Sequence, residues 1–483
     1  SRRFDYGYLG AGQPYMLSQL TGSYRSTPDY LDNQHRIETR EDADAYLSRL
    51  SDFGKVLDDE SERARKDFAA GVIPPDFVVE RALVQMRNLN VPADKSPLVD
   101  SIARRAKEKG IAGDHAAQAA KIYAETVRPA LERQIALMAA VQPRAVHDAG
   151  VWRQPDGEAY YEHALRASTT TRLTADEVHN IGLEQARQLS ARAEVILRGQ
   201  GMTRGTVGER IQALYRNKKH HYPNTDAGKV KLIEDINKIV EATYKRLPEA
   251  FGTLPKAPLE IKRVPKYIEA GAPGGYYNQP TLDGSRPGIY WINLRDTAEY
   301  PTWTLPTLTY HEGVPGHHLQ LSLQQEADLP MIRRASFISS YGEGWALYSE
   351  ELAKEMGVYE SDPLAELGML QAALFRSARL VVDTGLHSKR WSREKAIATM
   401  SSIDGSPASA ATTEIERYVV WPGQACSYMI GKLEWLRLRE KAKTALGPRF
   451  DIRAFHDAGL LIGAVPLTVL EGVIDRHIAA AKG

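Results

Sequence analysis

The chain has 483 residues, enough for two or three domains, and its 62 basic and 61 acidic residues balance, so no net field favours nucleic acid or an anionic membrane. A single cysteine, Cys426, excludes an internal disulfide framework and a cysteine-rich metal site. No apolar run approaches the roughly 18 residues that span a bilayer, so we expect neither a nucleic-acid partner nor a membrane span.

Helical periodicity dominates the first half of the chain. Long charged stretches rich in Ala and Leu carry apolar residues at three- and four-residue spacing, which predicts amphipathic helices. These stretches cover residues 42–70, 113–141, 175–199 and 227–247. The segment TADE (174–177) has the Thr-x-x-Glu form of a capping box at a helix start. We predict an N-terminal helical lobe over residues 1–250.

The helical pattern then breaks. LEIKRVP (259–265) and GIYWINL (288–294) are short segments typical of β-strands. The stretch between them, residues 270–287, is rich in glycine and proline and is typical of turns and a loop. We therefore predict a small sheet or hairpin over about residues 258–294 in a mainly α protein.

The predicted strand region has a specific use in peptidases. An exposed strand beside a catalytic helix holds an extended peptide by main-chain pairing. We assign this role to the strand 286–294, with Tyr290 contacting substrate. The alternative is that the hairpin only covers one end of the helical core. Helical periodicity resumes near Leu305 and continues to the end, apart from a break at DGSPAS (404–409), so we predict that residues 251–483 form the catalytic region of one integrated unit.

A cluster of histidines follows the strands. TYHEGVPGHHLQ (309–320) holds three histidines within eight positions, and Glu312 follows the first of them. The zinc-peptidase motif His-Glu-x-x-His places two ligands one helical turn apart, with the glutamate as general base. Here the second ligand position is Pro315, and the next histidines are His317 and His318.

Helix geometry tests both candidates for the second ligand. On a straight helix His318 would share the face of His311 but lie roughly 10 Å further along the axis, while His317 would point elsewhere. Neither imidazole would reach one ion at about 2 Å. Pro315 and Gly316 favour a kink or bulge. We predict a helix break between Glu312 and His317, and both histidines remain candidates.

A third ligand should come from a second helix, because a catalytic zinc site commonly uses two histidines and one carboxylate. SSYGEGWALYSEEL (339–352) offers Glu343, which is flanked by glycines and aromatic residues. It follows His317 by 26 residues, enough to end one helix and run another antiparallel past it. We expect Glu350 and Glu351 to be surface charges.

These segments resemble a known family. YHEGVPGHHLQ and YGEGWALYSEEL are similar to the paired signatures of domain-of-unknown-function family 885, whose motif is His-Glu-x-x-Pro-Gly-His-x-x-Gln. The resemblance covers nearly the whole chain and includes GSYRSTPDYL (22–31), YYNQPTLDGSRPGIYWINL (276–294), RLVVDTGLHSKRWSREKA (379–396), PGQACSYMIGKLEWLRLRE (422–440) and FDIRAFHDAGLLIGAVPL (450–467). The family resembles helical zinc peptidases such as angiotensin-converting enzyme, thimet oligopeptidase and the thermostable carboxypeptidases, which implies a two-lobed, mainly α architecture with a cleft.

The resemblance also implies roles for the residues of the two signatures. His311, His317 and Glu343 would bind Zn²⁺, and Glu312 would be the general base. Matching the Gly-His step of the relatives selects His317 as the second histidine ligand. His318 then becomes the alternative ligand, or a residue that lies behind the ligands.

Further roles follow from the later segments that resemble the family. In such enzymes a histidine and a tyrosine from later helices stabilise the oxyanion, which implies His387 and Tyr428 here. Asp383 lies one helical turn before His387 and would orient its imidazole. Arg379 and Arg417 would bind the C-terminal carboxylate of a substrate, unless each pairs with an acid on its helix.

The leading hypothesis is a zinc-dependent peptidase of short peptides, acting as a carboxypeptidase or oligopeptidase. A zinc amidohydrolase acting on a modified or non-peptide amide would use the same residues. A helical binding protein with a structural or vestigial metal site is the third hypothesis, and it would not need a base at Glu312. The chain begins at Ser1 without Met, which favours a location outside the cytoplasm if a signal segment has been removed.

Overall fold

The computed structural model describes residues 4–8, 12–266, 269 and 274–482. These residues form a mainly α protein with one three-stranded sheet, as predicted. The helices before the sheet are Ser23–Asp29 (α1), Arg40–Ala69 (α2), Asp76–Leu89 (α3), Pro97–Glu108 (α4), His115–Ile122 (α5), Arg128–Val141 (α6), Gly157–Thr169 (α7), Ala175–Gly199 (α8), Val207–Arg216 (α9) and Asp226–Arg246 (α10). The strands are Leu259–Arg263 (β1), Gly275–Asn278 (β2) and Gly288–Ile292 (β3). The helices after the sheet are Leu305–Glu312 (α11), His317–Glu326 (α12), Met331–Ala335 (α13), Ser339–Glu355 (α14), Pro363–His387 (α15), Arg393–Asp404 (α16), Ala408–Val420 (α17), Ser427–Leu446 (α18), Ile452–Leu460 (α19) and Leu467–Lys482 (α20).

The long helices lie where periodicity predicts them. Three of the four predicted stretches are single helices, α2, α8 and α10, and the fourth consists of α5 and α6 joined by a π-helical turn at Tyr123–Val127. At the start of α8 the Thr174 hydroxyl accepts the N–H of Glu177, and the Glu177 carboxylate accepts the N–H of Thr174. The predicted capping box is therefore confirmed, and such a cap stabilises a helix by about 1 kcal/mol.

The sheet contains both predicted strands and one that was not predicted. The strand order is β1-β3-β2, with β1 parallel and β2 antiparallel to β3. The register pairs Leu259 with Gly288 on one side and Gly275 with Ile292 on the other. The expectation of a loop over 270–287 is wrong at β2, because β3 supplies the ladder that holds this four-residue segment extended.

The position of β3 also corrects the expectation for substrate binding. β3 is the central strand, and both of its edges are paired with neighbouring strands. Its main-chain groups are therefore occupied, and they cannot pair with an extended peptide. The expected alignment of a peptide along residues 286–294 is wrong.

The predicted helix break is confirmed. Four residues, 313–316, separate α11 from α12. A Cβ on Gly316 would lie 2.0 Å from the carbonyl oxygen of His311, so only glycine lets the two backbone segments approach this closely. Trp345 of α14 holds the connection by donating its indole N–H to the carbonyl oxygen of Pro315 at 2.9 Å.

The chain packs into two compact units. Unit 1 consists of Ser1–Ala164, Leu386–Arg393 and Glu414–Pro422, and unit 2 consists of Leu165–Gly385, Glu394–Thr413 and Gly423–Gly483. The core of unit 1 includes Leu50, Phe53 and Tyr123, which are all buried. The division at residue 250 into a helical lobe and a catalytic region stays a prediction about function.

In unit 2, helix α14 is held in place by a close crossing with α18. A Cβ on Gly431 of α18 would lie 2.0 Å from the carbonyl oxygen of Ser340, and one on Gly344 would lie 2.5 Å from the backbone of Gly431. Beside this crossing the buried rings of Trp345 and Trp435 meet edge to face, with centroids 4.9 Å apart. The crossing and the aromatic pair leave α14 little freedom to shift.

Candidate metal centre

Three side chains from three helices of unit 2 converge on one point. His311 lies at the end of α11, His317 at the start of α12, and Glu343 on α14. Glu343 Oε2 lies 3.5 Å from His311 Nε2 and 3.2 Å from His317 Nε2. One ligand atom from each side chain lies within 4.8 Å of the other two. These residues could hold a metal ion, and they are the three ligands that the sequence predicts.

The helix break is what brings the histidines together. The imidazole rings of His311 and His317 are nearly perpendicular, at 89°, with their centroids 4.9 Å apart. Residues six apart on a continuous helix would point to different faces and lie about 9 Å apart along the axis. Because the helix is interrupted at residues 313–316, His311 and His317 are not held at this axial separation.

The nitrogen of His311 that faces away from the cluster is held by a carboxylate. His311 Nδ1 donates to Glu350 Oε1 at 2.8 Å, and the hydroxyl of Thr307 donates to Glu350 Oε2 at 2.5 Å. Glu350 is 1% exposed, so the expectation that it is a surface charge is wrong. Its hydrogen bond fixes the tautomer of His311 in which Nε2 offers a lone pair to a metal.

The histidines and the carboxylates of the cluster stabilise each other's charged forms. Burial lowers the pKa of His311, but hydrogen bonds to Glu343 and Glu350 outweigh it and raise the pKa to about 9. Burial raises the pKa of Glu343, yet the charges of His317 and His311 hold it well below its ordinary value. The same donor atoms therefore attract either protons or a cation, which makes metal affinity depend on pH.

Glu312 follows His311 in the sequence, and its buried environment changes its pKa. Its side chain is buried, with the residue 7% exposed. Burial raises the pKa of Glu312 above its ordinary value, although the charges of His311 and His317 oppose the shift. A carboxylate with a raised pKa beside a cluster of metal ligands is suited to take up and release a proton.

His318 is not part of the cluster. Its Nε2 donates to the carbonyl oxygen of Ala257 at 3.1 Å, and its Nδ1 accepts from the hydroxyl of Tyr277 at 2.8 Å. Burial lowers the pKa of His318 to about 4. Both nitrogens bond α12 to β2 and to the segment before β1, so the structure favours His317 over His318 as the second histidine of the cluster.

Comparison with known proteins places the chain in a family. The model of a family described as "Bacterial protein of unknown function (DUF885)" matches residues 2–474. The chain belongs to the DUF885 family. No match was found among curated proteins.

Two solved structures resemble this DUF885 protein. One is described as "the putative lipoprotein from Colwellia psychrerythraea"; it is 38% identical, has a TM-score of 0.96, and the match covers 99% of this chain and 83% of that one. The other is described as "a putative lipoprotein of unknown function from Shewanella oneidensis"; it is 19% identical, has a TM-score of 0.72, and the match covers 93% of this chain and 81% of that one. The second likeness shows the shared fold alone.

His387 does not have the environment expected of an oxyanion donor. In unit 1 its Nδ1 accepts from the N–H of Val151 at 3.0 Å, and its Nε2 donates to the carbonyl oxygen of Tyr418 at 3.1 Å. It is fully buried, and burial lowers its pKa to about 4. Both nitrogens are committed to main-chain partners, which does not favour the expected catalytic role; that role, and its orientation by Asp383, stay predictions.

The other predicted residues have separate environments. In unit 2 the Arg379 guanidinium lies close to the rings of Phe375 and Tyr428, 4.3 and 4.4 Å from their centroids. In unit 1 Arg417 pairs with Glu414 on the same helix at 3.1 Å, the alternative that the sequence left open. The roles of Tyr428, Arg379 and Arg417 in substrate binding stay predictions.

Tyr290 is buried and lies close enough to Glu312 to be affected by its charge. Its side chain is fully buried. Burial, followed by the negative charge of Glu312, raises the pKa of Tyr290 well above its ordinary value. No part of the side chain is exposed, which does not favour the expected contact with substrate, and that contact stays a prediction.

Two residues of the site are missing from the sequence-based prediction. Glu350 lies two helical turns after Glu343 and therefore on the same face of α14, a spacing that could have indicated it. Arg376 of α15 is close enough for its charge to act on His311, Glu312 and Glu350. The sequence feature that could have indicated Arg376 is its position as a charged residue within the apolar stretch LQAALFRSARLVV.

Proposed function

We propose that this DUF885 protein is a zinc-dependent peptidase that hydrolyses short peptides. The observation that carries the proposal is the convergence of His311, His317 and Glu343 with the buried Glu312 beside them. Two histidines, one carboxylate and a neighbouring carboxylate that is not a ligand are the parts of a hydrolytic zinc site. A structural zinc site would need four protein ligands and no base.

The donor atoms have suitable separations for zinc. Bonds of about 2.0–2.1 Å in a tetrahedron place the ligand atoms about 3.3 Å apart. The separations from Glu343 Oε2 to the two histidine nitrogens are 3.5 and 3.2 Å. Zn²⁺ bound to these atoms would act as a Lewis acid and lower the pKa of water.

The residues of the chain supply orientation and proton transfer. Glu350 holds His311 with Nε2 turned towards the other ligands. Glu312 accepts a proton from the attacking water and returns it to the leaving amine, and its raised pKa suits both steps. An extended peptide would pair with an edge strand, β1 or β2, since β3 has no free edge.

Metal analysis and a peptide assay test the proposal together. Zinc bound after gentle purification is measured by mass spectrometry, and a mixed library of short peptides is then incubated with the wild type and with Glu312→Gln. The wild type is expected to contain zinc and to cleave peptides. Glu312→Gln is expected to retain the zinc and to lose about 10²–10⁴-fold in kcat/KM, because it keeps the shape and removes the base.

A surface substitution provides the control. Glu184 is exposed and pairs with Arg187 on α8, so Glu184→Gln makes the same change of charge and should leave zinc content and cleavage unchanged. If Glu312→Gln cleaved peptides as fast as the wild type, Glu312 would not be the general base. A wild type that neither holds zinc nor gains activity when zinc is added would overturn the proposed function, and cleavage of amides other than peptides would favour an amidohydrolase.

We also propose that the protein acts outside the cytoplasm. The support is that the 38% identical protein of known structure is described as a "putative lipoprotein". Within the described residues no helix is long and apolar enough to cross a membrane. Fractionation of the source bacterium, with detection of the protein by antibody, tests this location. Recovery in the cytoplasmic fraction alone would contradict it.

A further inference from the structure

Arg376 has unused hydrogen-bonding capacity beside the candidate metal centre. Its Nη1 donates to the carbonyl oxygen of Ala372 on the same helix at 3.3 Å. Its Nε is buried and has no hydrogen-bond partner among the residues that the structure describes. Leaving such a donor unsatisfied is costly, and buried charged groups usually have partners.

The charge of Arg376 acts on three residues of the candidate site. Its positive charge lowers the pKa of Glu312 and Glu350 and opposes protonation of His311. Yet it forms no ion pair within 4.0 Å in the described part of the chain. The guanidinium is therefore near the catalytic carboxylate without being neutralised by direct contact.

The arginine one turn further along α15 is packed more closely against aromatic rings. Arg379 is 6% exposed, and its guanidinium carbon lies 4.3 Å from the centroid of the Phe375 ring and 4.4 Å from that of Tyr428. Arg376 is half-buried and lies further from the same two rings, 5.3 and 6.0 Å from their centroids. The guanidinium of Arg376 is therefore less enclosed by aromatic rings than that of Arg379.

We infer that Arg376 binds the C-terminal carboxylate of the substrate and makes the enzyme a carboxypeptidase. The inference rests on the proposed function and specifies its substrate class, peptides with a free C-terminus. A guanidinium presents parallel N–H donors that match a carboxylate in a bidentate pair. Because Arg376 is half-buried and has no ion-pair partner among the described residues, its guanidinium binds such an anion more strongly than a fully exposed one does.

The charge of Arg376 acts on Glu312 without direct contact, which suits this class of substrate. In a carboxypeptidase the scissile carbonyl and the terminal carboxylate belong to consecutive residues, about 3.8 Å apart along the chain. A cation that binds the carboxylate must therefore lie near the base without touching it. Arg376 meets this condition, since it acts on Glu312 through its charge but forms no ion pair with it.

Two matched peptide libraries test the inference. One carries free C-terminal carboxylates, and the other has the same sequences with C-terminal amides. The wild type is expected to remove single residues from the C-terminus of the free acids and to prefer them over the amides by about 10- to 100-fold in kcat/KM. Arg376→Gln should lose this preference, mainly through a higher KM for the free acids, so that acids and amides are cleaved with similar kcat/KM.

Binding provides a readout that is separate from turnover. The Glu312→Gln variant is equilibrated with both libraries, and the retained peptides are identified by mass spectrometry. Free acids should be enriched over amides, and the double variant with Arg376→Gln should not enrich them. Arg376→Lys keeps the positive charge but loses the parallel N–H donors of the guanidinium, so it should recover part of the preference. Arg187→Gln, on the exposed face of α8, is the control and should match the wild type.

Each outcome decides between the two proposals. A wild type that cleaves neither library overturns the proposed function and this inference with it. Equal cleavage of acids and amides by the wild type overturns the inference alone and leaves an endopeptidase. Equal loss of both activities in a folded Arg376→Gln variant, checked by circular dichroism, also overturns the inference, because it shows that Arg376 does not recognise the carboxylate.

Discussion

Glu350 is a buried carboxylate that orients the candidate metal ligand His311 without being a ligand itself. It accepts hydrogen bonds from His311 and from Thr307. Burial raises the pKa of Glu350, but the hydrogen bond from His311 and the charge of Arg376 lower it below the ordinary value. Glu350 is therefore ionised at neutral pH and polarises the imidazole of His311 towards a metal.

Replacing Glu350 should weaken metal binding without removing a ligand. We expect Glu350→Ala to lower the affinity for zinc by about 10- to 100-fold, because His311 loses the group that sets its tautomer and orientation. Glu350→Gln, which can still accept from His311, should lose less. Titration with metal-buffered zinc solutions measures the affinity.

The next residue on the helix provides the control. Glu351 pairs with Arg192 at 3.0 Å and with Lys432 at 3.3 Å, so Glu351→Ala removes a carboxylate of the same helix that faces other partners. Its effect should be on stability and not on zinc affinity. Unchanged zinc affinity in Glu350→Ala would mean that Glu350 does not orient His311.

At the scale of elements, the break between α11 and α12 determines the geometry of the site. It replaces the continuous helix of the shorter zinc motif with two helices that each present one histidine. The connection is anchored at two places. Gly316 passes against the backbone of α11, and Pro315 accepts a hydrogen bond from Trp345 of α14.

Substitution of Gly316 should separate the two histidines. The Cβ of Gly316→Ala would lie 2.0 Å from the carbonyl oxygen of His311 and 2.3 Å from that of Tyr310. Neither atom belongs to a flexible side chain, so the backbone must move, at a cost of at least about 1–3 kcal/mol. We expect a lower melting temperature and the loss of bound zinc, measured by calorimetry and by mass spectrometry.

Gly472 offers the matched substitution. It lies within α20, and a Cβ there would have ordinary contacts only, the nearest at 3.7 Å to Arg476. Gly472→Ala should therefore raise stability by about 0.5–1 kcal/mol, as alanine does within a helix. If Gly316→Ala also retained its zinc and its melting temperature, the close approach at Gly316 would not be needed for the site.

At the scale of the whole molecule, each unit contains a histidine that is buried in its neutral form. Burial lowers the pKa of His387 in unit 1 to about 4 and that of His456 in unit 2 to about 3. His456 donates to the carbonyl oxygen of Ala250 and accepts from the hydroxyl of Tyr348, at 2.8 Å each. Neither unit can accommodate the proton that its histidine would accept in water.

Both units should lose stability in mild acid. An unfolded histidine has a pKa of about 6.5, above that of the folded form, so unfolding takes up protons as the pH falls below about 6.5 and towards 4. Stability is fully present above this window and falls within it by about 1.4 kcal/mol per pH unit for each histidine. Calorimetry between pH 7 and 4.5 measures the slope.

Replacing one histidine tests the assignment. His456→Gln should weaken the pH dependence of the transition to which unit 2 contributes, whatever its effect at pH 7. His477→Gln, at a partly exposed position of α20, serves as the comparison. An unchanged slope in His456→Gln would show that another group accounts for the acid sensitivity.

The sequence by itself determined the features that depend on neighbouring residues. Apolar spacing and the Thr174–Glu177 pattern predicted the long helices and a cap, because both depend on contacts within a few residues. Pro315 and Gly316 predicted the helix break for the same reason. Family resemblance added the choice of His317 over His318, which spacing alone left open.

Only the tertiary structure decided the features that depend on distant partners. β2 is extended because β3 pairs with it, and Glu350 is buried because α14 packs on α11. His387 satisfies both of its nitrogens with backbone groups of distant residues, which no local pattern reveals. Local dihedrals and periodicity are encoded in short stretches of chain, whereas the partner of a buried polar atom is settled by packing between elements.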